Sequence, residues 1–250
     1  MANSASGESM ITRIVRVIET FSEDRTSQTV SDIGRRAGLP PSTAHRLVGE
    51  LVANGMLELD DEHRVRLGLR LWELALRGST AHRLREVALP HMERVQSAIR
   101  EHTQLAVLER DEALCLEKLS HPRAGANIAR VAGRLPLHAS SSGLVLLAHA
   151  DPRLRERLLA APLRRVGPET ITDPAHLRRT LIEIRRFGRA IAPGSIEEVS
   201  TGVAVPLRRA GAVVAALSVV LPREHPPEAA LEVLVRAARG IEGDLRSERR

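Results

Sequence analysis

A chain of 250 residues, 43% hydrophobic and 27% charged, can build one large domain or two modest ones, each with a proper core, which excludes a disordered tail or a disulfide-stapled peptide. Cys115 is the sole cysteine and can form no internal bridge, no basic signal segment precedes an apolar run, and no apolar stretch approaches the roughly 18 residues of a membrane span, so a soluble, cytoplasmic chain without a membrane partner is expected. Basic residues exceed acidic ones by 37 to 31, for a formal charge of +6, with Lys118 the sole lysine; this balance suits a nucleic-acid partner without requiring one. The excess lies after Gly78, so global charge locates no DNA-binding face.

Ile11, Ile14, Val15, Ile18 and Phe21 recur at helical spacing with Arg13, Arg16 and Glu19 between them, which predicts a first helix with one packed side and one wet side. The polar stretch SEDRTSQ ends it as a turn. Next comes TVSDIGRRAGLPPSTAHRLVGELVANGMLEL, residues 29–59. A short helix starts near Ser31 and buries Ile33 and Ala37, Gly38 supplies a permissive turn, and Pro40 or Pro41 opens the following helix without wasting an amide hydrogen. Two helices joined by a tight glycine turn form a helix-turn-helix pattern.

The second of these helices places Ala44, Leu47, Val48 and Leu51 on one stripe, with Ser42, Thr43, His45, Arg46 and Gly49 away from it. Short donors and an arginine near a helix N-terminus suit a major groove, so base-edge reading is assigned among Ser42, Thr43, His45 and Arg46. MLELDDEHRVRLG then alternates as two short strands around Asp60 to Glu62, a wing that sets Arg64 and Arg66 on one face to meet phosphate or the minor groove. Asp32, Glu50, Asp60, Asp61 and Glu62 repel phosphate and predict modest non-specific affinity. Since one such helix reads few base pairs, a symmetric dimer on palindromic double-stranded DNA is expected. The alternative is a protein-recruiting or oligomerisation module, because helix-turn-helix units also bind proteins and any amphipathic helix has a polar face.

Residues 77–101 read as a helical linker divided by Pro90, after a domain over 8–76 and before one over 102–248. Trp72, beside Leu69, Leu71 and Leu76 at helical spacing, reads as a core or dimer anchor. Segments 104–110, 113–119 and 127–131 suggest an antiparallel meander; a helix follows from about Ser140 to His149, another is centred on Leu177 to Phe187, strands 199–207 and 211–221 are joined by a turn, and a last helix buries Leu231, Leu234, Val235, Ala238, Ile241 and Leu245. This order predicts an α+β chain whose second half is a mixed domain with a largely antiparallel sheet flanked by helices.

No catalytic constellation emerges. Ser140, Ser195 and the histidines lack a nucleophile-elbow setting, GRLPLHASSSG lacks the placement of a phosphate loop, and Cys115 has no paired cysteine or histidine pattern, so neither an enzyme nor a cofactor or metal is expected. The second half instead offers a place for a small molecule: the serines opening the 140–149 helix face apolar strands, which nominates Ala139, Ser140, Ser141, Val203, Ala204 and Ser218. Ordinary capping by Ser140 or Ser141 explains the serines equally well.

GLPPSTAHRLVGELVANGMLE followed by RLGLRLWEL, then GRLPLHASSSGLVLLAH, ETITDPAHLRRTLIEIRRFGRAI, AVPL and AALSVVLP, resemble in that order the IclR family of bacterial transcriptional regulators over almost the full length. The resemblance implies an N-terminal winged helix-turn-helix, a helical linker and a C-terminal GAF-like effector-binding domain. It further implies a homodimer or dimer of dimers on operator DNA, and a small organic effector, often an organic acid or aromatic compound. By position, Ser42, Thr43, His45 and Arg46 fall on the recognition helix and 138–143 falls beside the effector cavity. The stretch SIEEVSTGVAVPL departs from the family pattern, with a valine at an expected glycine and no cysteine before the AVP element; Ser200 or Thr201 are the polar groups available there.

Overall fold

The computed structural model describes residues 8–77, 79–125 and 127–247. Gly78, within the expected linker, and residue 248, the far bound of the expected effector domain, lie outside the described residues. The chain divides into two units, Met1–Ser79 and Thr80–Arg250.

The first unit begins with α1 (Met10–Glu19), capped by Ser9, whose hydroxyl accepts the Thr12 amide. The polar stretch after it holds a two-residue strand, β1 (Ser27–Gln28), where only a turn was expected. Then α2 (Val30–Arg36) starts at the Thr29 cap, the chain turns through Gly38 at φ +62°, and α3 (Pro41–Ala53) follows with Pro41 at its first position. A Cβ on Gly34 would come within 2.9 Å of the Ala44 Cβ, so the two helices cross closely only because α2 carries a glycine there. β2 (Leu57–Leu59) and β3 (Val65–Leu67) form the wing, β1 adds to the free side of β3, and α4 (Leu69–Leu76) closes the unit. Val17, Ile33, Ala44, Leu47, Leu57 and Val65 are fully buried in its core.

Two expectations for this unit need correction. The α1 stripe does not pack as a whole: Ile11 is 73% exposed, Val15 is exposed, and Val17, from between the predicted positions, is the buried residue. Of the two roles expected for Trp72, the core one is overturned, since the side chain is 64% exposed beside exposed Leu69. Periodicity finds an apolar face without specifying what covers it.

The second unit opens with α5 (Thr80–Ile99), a continuous helix that carries Pro90 inside it. The division expected at Pro90 is absent, and α5 buries Leu84, Ala88, Met92 and Val95 in this unit's core. The sheet runs β6–β5–β4–β9–β8–β7, antiparallel throughout, from β4 (His102–Glu109), β5 (Glu112–Leu119), β6 (Arg134–Pro136), β7 (Ala190–Pro193), β8 (Ser200–Arg209) and β9 (Ala212–Pro222). The third strand is at 134–136 and not at 127–131. α5 and α9 (Glu228–Ser247) cover one face through Leu105, Val203, Val205, Leu217 and Val219. α6 (Ser141–His149) and α8 (Pro174–Phe187) pack with Ala106, Ala204 and Ala216 on the other, together with residues of α7 (Pro152–Ala160). The alternation of apolar side chains along β8 and β9 divides them between two cores.

Candidate functional site

Two regions present chemistry, one in each unit. On α3, Ala44, Leu47, Val48 and Leu51 are buried while Ser42, His45 and Arg46 are exposed and Thr43 is half-exposed. The sequence stripe and the structural stripe coincide, because a 13-residue amphipathic helix packs its apolar side and leaves the remainder wet. Pro40 makes no side-chain cap, so the backbone amides of the first turn are open to an acceptor from outside. Arg46 Nη1 lies 2.7 Å from Glu50 Oε1, and this exposed i,i+4 pair is weak enough to yield to another anion.

The wing is built around Asp60. Its Oδ1 accepts the amides of Glu62 and Arg64 at 3.0 and 2.9 Å, and its Oδ2 accepts the Ser27 hydroxyl at 2.7 Å, tying the wing turn to β1. The Ser27 hydroxyl, then the Arg64 amide, hold the Asp60 carboxyl below the usual carboxylate range. Arg64 and Arg66 are both exposed, flanking buried Val65. Arg64 donates to the Ser27 carbonyl at 3.0 Å and Arg66 pairs with Glu58 at 2.7 Å. Both guanidiniums are thus held at the wing surface, and of the acidic tip only Asp61 and Glu62 remain exposed carboxylates.

In the second unit, α6 is enclosed: every residue from Ser141 to Ala148 is buried. Ser140 is its cap, its Oγ accepting the Gly143 amide at 3.0 Å, which is the capping role the sequence left open. The hydroxyls of Ser142 and Ser218 share a hydrogen bond of 2.8 Å across to β9. Ser141 sits against β8, where a Cβ on Gly202 would come within 2.7 Å of the Ser141 Oγ and 3.1 Å of its Cβ, so the glycine lets the helix seat this close without displacing Ser141. Beside this start lies a narrow cleft with about 40 Å³ accessible to water.

Of the nominated effector residues, Ala139, Ser140 and Ser141 line this cleft. Ala204 packs on the same side of the sheet without lining it, and Ser218 is occupied by Ser142. Val203 lies in the opposite core with α5 and α9, because neighbouring residues on a strand point to opposite faces. Ser200 lines the cleft, whereas Thr201 has the parity of Val203 and pairs in register with Leu221 of that opposite core. No motif or spacing points to the further polar lining groups Gln104 of β4, Asn127, and Glu197 from the β7–β8 connection.

Cys115 is buried and its thiol is pushed up to about 11 by desolvation, which keeps it protonated and unreactive. Among the described residues no three His, Cys, Asp or Glu side chains gather as a metal site, and no helix is long and apolar enough to cross a membrane.

Comparison with known proteins settles the family. Residues 10–61 match the IclR helix-turn-helix domain and residues 79–242 match the bacterial transcriptional regulator IclR C-terminal domain. The chain belongs to the IclR family. A crystal structure of an IclR homolog from Microbacterium hydrocarbonoxydans, complexed with 4-hydroxybenzoate, is 64% identical, covers 96% of this chain and all of that one, and superposes with a TM-score of 0.93. The HTH-type transcriptional regulator BhcR of Paracoccus denitrificans is 31% identical over 85% of this chain and 79% of that protein. The Pca regulon regulatory protein of Pseudomonas putida is 27% identical over 92% and 82%. As an IclR family member the chain is a DNA-binding transcriptional regulator with a small-molecule effector domain, and not an enzyme.

Proposed function

We propose that this IclR regulator reads a palindromic operator as a homodimer or dimer of dimers through Ser42, Thr43, His45 and Arg46, with Arg64 and Arg66 holding phosphate, and that an aromatic acid of the hydroxybenzoate class is its effector. The observation that carries the DNA reading is the exposed polar face of α3 set against its fully packed Ala44–Leu51 stripe. The apolar side chains exposed in the first unit, Ile11, Leu69 and Trp72, support pairing with a second copy. For the effector, support comes from the 64% identical homolog complexed with 4-hydroxybenzoate and from the serine-lined cleft at the start of α6. Ligand control requires that the DNA-competent and DNA-incompetent states bind the effector with unequal affinity, since equal affinity shifts neither population.

Selection of duplexes from a random library by the full chain, with and without 4-hydroxybenzoate, tests both parts. A convergent palindrome whose retention changes with the ligand is expected. Absence of convergence contradicts the DNA reading and favours a protein-recruiting module; convergence indifferent to the ligand contradicts the effector assignment.

A further inference from the structure

The cleft at the start of α6 contains hydrogen-bond donors with nothing to bond. Gln104 is 4% exposed, lines the cleft, and its Nε2 has no partner. Asn127 lines it as well: its Oδ1 accepts the Ala129 amide at 2.9 Å, which fixes the NH2 group as the free end, and that Nδ2 is buried without a partner. Buried side-chain donors nearly always find an acceptor, so two orphans in one cleft mark a place where an acceptor arrives from outside.

The Asn127 donor is held in place, and the sheet register sets where Gln104 enters. Gln104 sits on β4 in register with Ser218 and Lys118. Lys118 Nζ donates to the carbonyls of Asn127 and Ala129 at 3.3 and 2.9 Å, and His102 Nε2 donates to the Gly125 carbonyl at 2.6 Å, which pins the segment that presents Asn127. The lysine ammonium also places positive charge one hydrogen bond from that segment. Glu197, on the β7–β8 connection, lines the same cleft, and a carboxylate disfavours an anion near itself. A carboxylate is acceptor-only and can take hydrogen bonds on both oxygens, which matches two fixed amide donors, whereas a phenol hydroxyl also has a proton to donate and suits the carboxylate side.

We propose that Gln104 and Asn127 are the specificity-determining residues of the effector cleft, their amide N–H groups binding the carboxylate of an aromatic acid. The inference rests on the aromatic-acid reading above and assigns the ligand's orientation within it. The test is calorimetric titration of the full chain with 4-hydroxybenzoate and with its neutral analogue 4-hydroxybenzamide. Gln104→Glu replaces a donor with a charge at constant size, and Asn127→Asp does the same while keeping the acceptor for the Ala129 amide. Each variant is expected to weaken the acid at least tenfold and to leave the amide unchanged within about threefold, or tighter. Equal loss of both ligands, the mark of a structural role, or retention of the acid overturns the proposal. Binding of the acid by the wild type and by both variants leaves the aromatic-acid reading standing and removes this inference alone. Binding of neither ligand by the wild type removes both. Should Gln104→Glu not fold, Asn127→Asp, on the loop, carries the decision.

Discussion

Helices α3 and α6 both begin in a run of small hydroxyl side chains, yet one belongs to a surface and the other to an interior. In α3 the apolar stripe is one-sided, so Ser42, His45 and Arg46 stand in water where a large polyanion can reach them. In α6 burial is unbroken from Ser141 to Ala148, so its opening serines are satisfied internally or face a narrow cleft. The same residue types are therefore open to partners of different size according to whether the rest of the helix is polar on one side or apolar on all.

Breaking each helix at its packing side should have effects of different size. Leu47→Ala removes a fully buried side chain from the first unit and is expected to cost about 2–5 kcal/mol, lowering that unit's calorimetric transition while the second unit's stays in place. Gly202→Ala pushes a Cβ into Ser141 and is expected to cost about 1–3 kcal/mol in the second unit, with loss of 4-hydroxybenzoate binding by titration. Ser142→Ala strands the Ser218 hydroxyl and is expected to cost roughly 1 kcal/mol by chemical denaturation. Adding Ser218→Ala to it should cost less than the sum of the two single changes, and strict additivity would deny the pairing.

The smallest expected effect concerns pH and sharpens the contrast at the far end of α6. Burial lowers the His149 pKa, with its Nδ1 donating to the Val145 carbonyl at 2.9 Å and its Nε2 facing Arg208 Nη2 at 3.2 Å. The fold thus favours the neutral ring, while the unfolded chain binds a proton near 6.5. This contribution to stability is present above that value and is lost as pH falls through the lower folded pKa. The second unit's thermal midpoint is expected to fall with acidification below about 6.5 more in the wild type than in His149→Gln; parallel curves would refute it.

The α3 stripe was legible because Ala44, Leu47, Val48 and Leu51 repeat at the period of a helix that packs on one side. The strands at 102–119 and 200–222 were legible as apolar runs bounded by turns, but their facing was not used: Val203 and Ala204 are neighbours, so only one can point toward α6. α7 announces itself by Asp151, which caps it, and Pro152 at its first position, yet was not anticipated. Gln104 and Asn127 were illegible for a different reason. A single glutamine in a strand and an asparagine in a loop have no spacing that joins them, and only the sheet register and the Lys118 contacts bring them to one cleft.

Sequence reading by the exposed face of α3 is measured most directly by the affinity of the full chain and of Arg46→Ala and Arg64→Ala for the selected duplex and for a scrambled one, across a salt series. Arg46→Ala is expected to lose about 1–3 kcal/mol on the selected duplex and far less on the scrambled one, while Arg64→Ala weakens both alike and reduces the salt slope by about one. Equal loss on the two duplexes for Arg46→Ala, or no preference between them in the wild type, would contradict the assignment of sequence reading to α3.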